Sequence, residues 1–532
     1  MTYTIKDKRD FKNLIRLVID DNQSNKNAEK IFEFEQNEYV FEQNDCENIY
    51  CRVSNHGNNN LNVCFCMDEC ENITIDGRGS FFRFKDGITP FLMRCGKNIT
   101  LKNFKIYVEN TNVISGKVIY SSNERVDVKI PEKYEVFLKG NGLFLHSNGK
   151  EYELKYSFSA LKGRISEKDT GQCFDAPFEL LLKSLNGQVL SIPNPPKTVD
   201  VNSDIVLIST GSREGSGIII DRCQNIRIEN VTIYHCVGMG VIAQKSKDIS
   251  IDRMKVMRYG DGAFSLNADA VHFVNCRGKI NVTNSLFESQ LDDACNIHGI
   301  YTKIVEVDKN RIKVQFMQQE TLDIPIYQIG DKLEICKNDT LKPYFDAEIQ
   351  DVVYNNDGTA DVILDKTPSI VHGNSLAEVA SDKVLFTLKN CIIRDNRTRG
   401  ILLAAKGSLL VEGNYFNTHN SAILFEANAN FWFDSGGVDV AEIKNNFFCG
   451  TDSRAESVIK VCKRDKQTDD FCFNKHIDIS NNLFDKDCYN ILECNNTREF
   501  IFSDNITYGN KRLTISNTEN VLLDGKEWNY ES

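Results

Sequence analysis

NIRIENVTI, residues 225–233, alternates apolar and polar side chains before reaching residues that can turn the chain. That is the period of a half-buried strand. The same phrase recurs upstream as NITIDGRG (72–79) and NITLKNFKI (98–106), and downstream as DISIDRMKV (248–256) and KINVTNSLF (279–287). It continues as FTLKNCII (386–393), SLLVEGNYF (408–416), AEIKNNFF (441–448), HIDISNNLF (476–484) and a weaker NVLLDG (520–525). Where copies are closest they lie about 20 to 30 residues apart, the spacing of solenoid coils. Stacked in parallel, such coils bury Ile, Leu, Val and Phe and bring turn asparagines into line between rungs. The expected fold is all-β, a right-handed parallel β-helix. A sandwich or propeller also has many short strands, but it would favour hairpin turns and a blade signature.

The phrase falls silent twice, from about residue 115 to 208 and from 301 to 383. Both gaps keep strand-like alternation and carry turn signals such as KGNG and NNDG, which predicts two inserted small β-barrel-like domains. The chain then divides into an N-terminal cap with the first coils (1–114), an inserted β domain (115–208) and central coils (209–300). A second inserted β domain (301–383) and C-terminal coils (384–532) complete it. The second insertion starts just after an aspartate pair and is expected to stand beside any site that pair builds.

A chain of 532 residues with 41% hydrophobic content has ample material for a long core. Its net charge of -12, with no long Lys/Arg run, speaks against nucleic acid or an anionic membrane as partner. The N-terminus lacks the apolar core of a signal peptide, and no stretch of eighteen apolar residues would span a bilayer. Eighteen cysteines, many placed singly at apolar positions such as Cys276, Cys295 and Cys391, read as small buried thiols. Both features point to the cytoplasm, unless an export signal has been removed. The cluster at Cys64, Cys66 and Cys70 lacks the spacing and histidines of a zinc site, so no metal is expected there.

The stretch NADAVHFVNCRGKINVTNSLFESQLDDACNIHG (267–299) holds Asp269, then Asp292 and Asp293, which lie 23 and 24 residues further on. That distance is about one coil, and one coil is one rung in space, roughly 4.8 Å. The three carboxyl groups should therefore meet. Clustered carboxylates repel one another, which raises at least one pKa and leaves an acid beside ionised bases. Glycoside hydrolysis needs that division. Asp292 and Asp293 can share a side only where the strand bends or ends. Two other readings stay open for the aspartates: caps for solenoid turns, and ligands of a calcium ion, the latter without the glycine-rich Asp nonapeptide that would favour it.

A lone Asp, one coil and then Asp-Asp resembles polygalacturonases. The fuller string ADAVHFVNCRGK...LDDACNIHGIY resembles glycoside hydrolase family 110, the α-1,3-galactosidases. NHGNNN (55–60), GMGVIAQ (238–244) and RTRGILLAAKGSLLVEGNYF...SAILFEANANFWFDSG (397–436) agree with it. This resemblance implies cofactor-free removal of terminal α-1,3-linked galactose from a glycan, with inversion. By position in the motifs it implies Asp292 as general acid, with Asp269 and Asp293 holding and deprotonating water. A rung of about 4.8 Å is nearer the carboxyl separation of retaining enzymes than the roughly 6.5–9.5 Å of inverting ones.

Around that centre, Trp432 is read either as a platform for a sugar face or as core. Arg399, Glu426 and Gln244, in the matching strings, are candidates for binding sugar hydroxyls, or else surface and turn residues. His298 is placed to donate to substrate or to orient Asp293. His272 is a substrate-site candidate whose other reading is a satisfied structural histidine. Two alternatives to the galactosidase are a polygalacturonase-like hydrolase and a non-catalytic carbohydrate-binding solenoid. The first would show an Arg-x-Lys run after the histidine, where IYTKIVEV stands. A solenoid's open ends need caps, which the segment before residue 70 or a second copy in a homodimer would supply.

Overall fold

The computed structural model describes the chain outside residues 9–27, 166–178, 451–455, 464–470 and 528–532 and short loop stretches of one to three residues. The recurring phrase forms one long parallel ladder. Glu71–Phe84, Lys97–Val108, Gln224–His235, Lys247–Asp252, Arg277–Thr283, Val384–Lys389, Gly407–Glu412, Val440–Lys444 and Asn474–Ser480 succeed one another in it. A second parallel ladder runs through Ile88–Arg94, Ile218–Asp221, Val241–Gln244, Val271–Val274, Cys295–Ile300, Ile401–Ala404 and Ile423–Ala427. Between them lies one continuous apolar core from Ile5 to Val521. The protein is a parallel β-helix. Two coils escaped the phrase: Lys30–Phe34 pairs in parallel with Lys30↔Ile73 register at the start, and Thr497–Ser503 stacks on Asn474–Ser480 near the end.

The ladder continues in register across both silent stretches. Ile226 stands beside Ile99, and Gly278 beside Val384. Between the second pair the strands Thr302–Asp308, Arg311–Phe316, Thr359–Leu364, Pro343–Tyr354, Lys332–Lys337 and Ser375–Val379 close into a barrel. Val274 and Ile300 of the helix belong to its core, and buried Lys245 donates to Asp331 and Asp382, both at 2.8 Å. In the first stretch the strands are antiparallel, and among the described residues their order is open, from Glu135–Lys139 to Glu179–Ser184. Among the described residues no helix is long and apolar enough to cross a membrane.

The residues that interrupt the phrase earn their places by conformation. Asn72, Asn98, Asn225 and Asp248 turn with φ between 55° and 58°, a region that Asn and Asp tolerate better than other side chains. Their amides also link rungs: Asn98 Nδ2 donates to Asn72 Oδ1 at 2.8 Å, and Asn225 Nδ2 to Asn98 Oδ1 at 2.7 Å. A buried ladder does the same further along, from Asn414 to Asn446 (2.9 Å), Asn482 (3.0 Å) and Asn505 (3.0 Å). Inside, Phe416, Phe448 and Phe484 stack at 5.2 and 5.0 Å.

Asn446 is the test of this internal ladder, since it accepts from Asn414 and donates to Val411 O and Asn482. Asn446→Leu is expected to lower the thermal midpoint, at about 1–3 kcal/mol for each buried group left unpaired. An unchanged midpoint in a circular-dichroism melt would show that the ladder contributes no net stability.

Candidate active site

Register places the three aspartates. Val271, Cys295, Ile401 and Ile423 are paired neighbours on successive rungs. Two residues earlier on each coil stand Asp269, Asp293, Arg399 and Ser421, and three earlier stand Asp292, Thr398 and Asn420. The residue just before each strand is Ala270, Ala294, Gly400 or Ala422, preceded one rung back by Gly240. A Cβ on Gly240 would lie 2.5 Å from Ala270 O, and one on Gly400 2.4 Å from Ala422 O. Small residues are what let the chain bend sharply here and turn both Asp292 and Asp293 toward one side.

Within this column, Asp293 N donates to Asp269 Oδ1 at 3.1 Å. Arg399, one rung on, holds Asp293 by two parallel bonds, Nε to Oδ1 at 3.0 Å and Nη2 to Oδ2 at 2.8 Å. The Thr398 hydroxyl lies 2.7 Å from Asp293 Oδ1 and 3.1 Å from Asp292 Oδ1, and Arg213 pairs with Asp292 Oδ2. One oxygen from each of the three carboxyl groups lies within 4.8 Å of the others. Such a cluster has the makings of a cation site. Here, however, every one of the six carboxyl oxygens has a protein partner, and arginines stand where a cation's charge would otherwise be needed.

Burial pushes Asp269 up to about 7, with Asp292 adding to the effect and Arg213 and Arg399 opposing it. Asp293 is likewise pushed up to about 7, chiefly by burial, against the pull of Arg399. Burial acts on Asp292 as well, but Arg213, Arg397 and Arg399 outweigh it and hold that group below the ordinary carboxylate range. A hydrogen-bonded pair of histidines backs Asp269. His298 Nδ1 faces Gly299 O at 2.7 Å, His298 Nε2 faces His272 Nε2 at 2.9 Å, and His272 Nδ1 faces Asp269 Oδ2 at 2.6 Å. Burial, reinforced by His298, keeps His272 well below its usual range. A neutral His272 carries one proton for its two contacts, to Asp269 and to His298, and His298 Nδ1 also lies 3.2 Å from Asp434 Oδ1.

A cleft of about 370 Å³ opens over this column. Asp269, Asp292, Arg399, Glu426 and Trp432 line it. Asp293, His272 and His298 are buried directly behind and reach it through Asp269 and Arg399. Gln244 requires a correction: its side chain is buried away from the cleft, donating to Arg52 O (2.7 Å) and Asp221 Oδ1 (3.0 Å) and accepting from Ser54 N (3.0 Å). It ties the segment after Tyr50 to the sheet and has no group left for a sugar.

The structure adds lining residues that the sequence reading passed over: Arg213, Arg397, Thr398, Asn296, Asn428 and Asp434. Arg397 and Thr398 sit in the RTRG string, and Asn428 and Asp434 in ANANFWFDSG, so the strings carried that signal. Trp432 owes its place to Asn428, whose Oδ1 accepts the N–H groups of Asn430, Phe431 and Trp432 at 3.2, 2.8 and 3.0 Å. Phe433 then turns at φ 59°, uncommon for a bulky residue. The closed barrel reaches the cleft rim: Glu320 O accepts from Asn55 N at 3.0 Å, and Gln318 Nε2 donates to Phe431 O at 3.4 Å.

The raised Asp269 makes a stability prediction. Between its ordinary pKa near 4 and the folded value of about 7, the folded protein holds a proton that the unfolded chain has lost. Stability should therefore fall as pH rises through that window. Asp269→Asn, whose amide can donate to His272 and accept from Asp293 N, should melt higher than the unmodified protein at pH 8. The gap should close toward pH 4. A variant that melts lower at pH 8 would mean that Asp269 is held as a carboxylate.

No protein-family model matches the chain. It is 26% identical over 483 residues to a protein named alpha-1,3-galactosidase A from Shewanella woodyi, a match covering 88% of this chain and 78% of the relative. It is also 26% identical over 465 residues to an alpha-1,3-galactosidase B from Akkermansia muciniphila, covering 84% of this chain and 58% of the relative. A solved exopolygalacturonase from Thermotoga maritima aligns over 99% of this chain and 93% of its own, at 9% identity and a TM-score of 0.38. Along most of its length, then, the chain is similar in sequence to proteins named alpha-1,3-galactosidase.

Proposed function

We propose that the protein is an exo-acting glycoside hydrolase that removes terminal α-1,3-linked galactose with inversion. The observation that carries this reading is a carboxyl trio, two members buried and Asp292 half-buried, in which Asp292 is held below the ordinary carboxylate range and the other two are pushed above it, at the foot of a cleft. The relatives' names supply the sugar and linkage. A volume of about 370 Å³ is at the small end of ligand sites and suits a terminal sugar better than the middle of a long chain. Three guanidinium and four carboxyl groups line it, and Arg213 and Arg399 are each bound to an aspartate. That balance favours a neutral sugar over a uronate. Stretches 115–208 and 301–383 are, in the same reading, insertions on the helix, the second shaping the cleft rim.

In this mechanism Asp292, the member of the pair that faces the cleft, protonates the departing glycosidic oxygen. Asp269, backed by Asp293, takes a proton from the attacking water. The resting charges are the reverse, so one proton moves from Asp269 to Asp292 as substrate displaces Arg213, between groups whose oxygens lie within 4.8 Å. Inversion is favoured because the oxygens of Asp269 and Asp293 are all bonded within the protein, which leaves neither carboxyl group free to attack the anomeric carbon.

The test is hydrolysis of a terminal Gal-α-1,3-Gal oligosaccharide followed by proton NMR, with β-galactose expected first. α-Galactose first would exclude inversion, and no release from folded protein would exclude the hydrolase. Asp292→Asn should lose about 10²- to 10⁴-fold in kcat on the oligosaccharide and far less on an aryl α-galactoside whose leaving group needs no proton. If Asp269→Asn shows that pattern instead, the acid and base roles are exchanged. Arg213→Gln should release Asp292 from the charge that depresses it and move the alkaline limb of kcat/KM to higher pH. A limb that stays in place would detach Arg213 from the acid.

A further inference from the structure

Among the described residues, two buried polar atoms without a hydrogen-bond partner belong to side chains that line the cleft: Asn296 Oδ1 and Asn428 Nδ2. Both residues are more than nine-tenths buried, at 8% and 2% exposed. An unpaired buried amide group is costly, so each is a place where a missing partner belongs. Asn296 stands on Cys295–Ile300 between Cys295 and Ile297, which point into the core, so its own side chain points outward over the cleft floor beside Leu402. Asn428 is held in the cleft wall by the three N–H groups that its oxygen accepts.

The loop itself does not require the Asn428 nitrogen. An aspartate would accept the same three N–H groups, and more strongly, because a charged acceptor makes the shorter bond. What an aspartate could not do is donate a hydrogen bond from that position. One unpaired acceptor and one unpaired donor, on side chains that line the same cleft, match the chemistry of sugar hydroxyls, each of which both donates and accepts. Neither atom suits a carboxylate or a cation as a pair.

We propose that Asn296 Oδ1 and Asn428 Nδ2 bind hydroxyl groups of the terminal sugar and so determine which sugar configuration the cleft accepts. This assignment rests on the glycoside reading of the cleft. It also gives Asn428 two tasks, since the side chain that donates to the sugar also fixes the backbone carrying Trp432. A sugar with the wrong hydroxyl orientation leaves a buried amide unpaired, which is the strongest form of rejection available to a small pocket.

The experiment uses Asn428→Asp, which keeps the acceptor for the loop and loses the donor, and Asn296→Leu, which loses the acceptor. Each is assayed on Gal-α-1,3-Gal and on the analogues lacking the 2-, 3-, 4- or 6-hydroxyl of the terminal galactose. A lost contact should lower kcat/KM on the parent sugar by about 10- to 100-fold. The same variant should come close to the unmodified protein on one particular deoxy sugar, because there the contact is already missing. A loss that is uniform across the series, or no loss, overturns the assignment. Trp432 emission reports whether the loop is intact. Should Asn428→Asp fail to fold, Asn296→Leu carries the same test alone. If the unmodified protein releases no galactose, the hydrolase reading falls. Equilibrium binding of the same sugars then decides the asparagine assignment, by the same contrast of selective and uniform loss.

Discussion

Rung-to-rung backbone hydrogen bonding is the constraint on which the rest of this structure depends. Once each coil's amides are committed to the next coil, a position along one coil becomes a column running through all of them. Side chains 23 or 24 residues apart in sequence are then forced together, whatever their chemistry. The asparagine ladder and the Phe416–Phe448–Phe484 stack turn this crowding into attraction. In the column of Asp269 and Asp293 it begins as repulsion between buried carboxyl groups.

Arg399 resolves that repulsion because it occupies the next rung of the same column. Its half-buried guanidinium loses solvation, which works against its charge, yet Asp293 and the other carboxylates raise its pKa above the ordinary arginine range. A buried carboxylate without such a partner would be strongly destabilising. Asp292, one residue out of the column, is compensated from elsewhere, by Arg213. The two aspartates of one dipeptide thereby acquire different surroundings: one is closed in and clamped, the other open to the cleft and held ionised. The histidine pair adds a third environment at Asp269. Three chemically identical groups are differentiated by where neighbouring coils place their partners.

The first ladder was legible in the sequence because its outer face meets water. Ile226 and Ile228 face the core while Arg227 and Glu229 face out, and that contrast is the alternation that reads as a strand. The second ladder was not, and for a physical reason. Val241–Gln244, Val271–Val274 and Ile401–Ala404 are buried at every position, since the segment after Tyr50, the closed barrel and the cleft walls cover their outer side. Four-residue apolar runs carry no period. Thr497–Ser503 alternates well, yet it lacks the asparagine-bearing phrase used to find its neighbours. At the site, the meeting of Asp269 with Asp292 and Asp293 followed from spacing alone. Arg213 could not have been found that way, because it approaches from chain outside both ladders. Gln244 misled because a strand end in a matching string says nothing about what covers it.

Carboxyl separation, the usual guide to stereochemistry, was derived for sites with two carboxyl groups on opposite sides of a sugar. A column of rungs cannot open that distance by spacing coils further apart, since the ladder fixes the rise. It can instead supply a third carboxyl group and stagger the trio by one residue along the coil, as Asp292 is staggered from Asp293. In the proposed mechanism two groups then grip a water while the third faces the leaving oxygen, and the room needed comes from side-chain direction. The same closeness is what the proposed mechanism uses when substrate entry shifts a proton within the cluster without exchange with bulk water. In such a site the distance between nearest oxygens measures how readily the groups exchange protons. Which carboxyl oxygens are free to reach the anomeric carbon is then the better guide to stereochemistry, and in the resting cleft all six are already engaged.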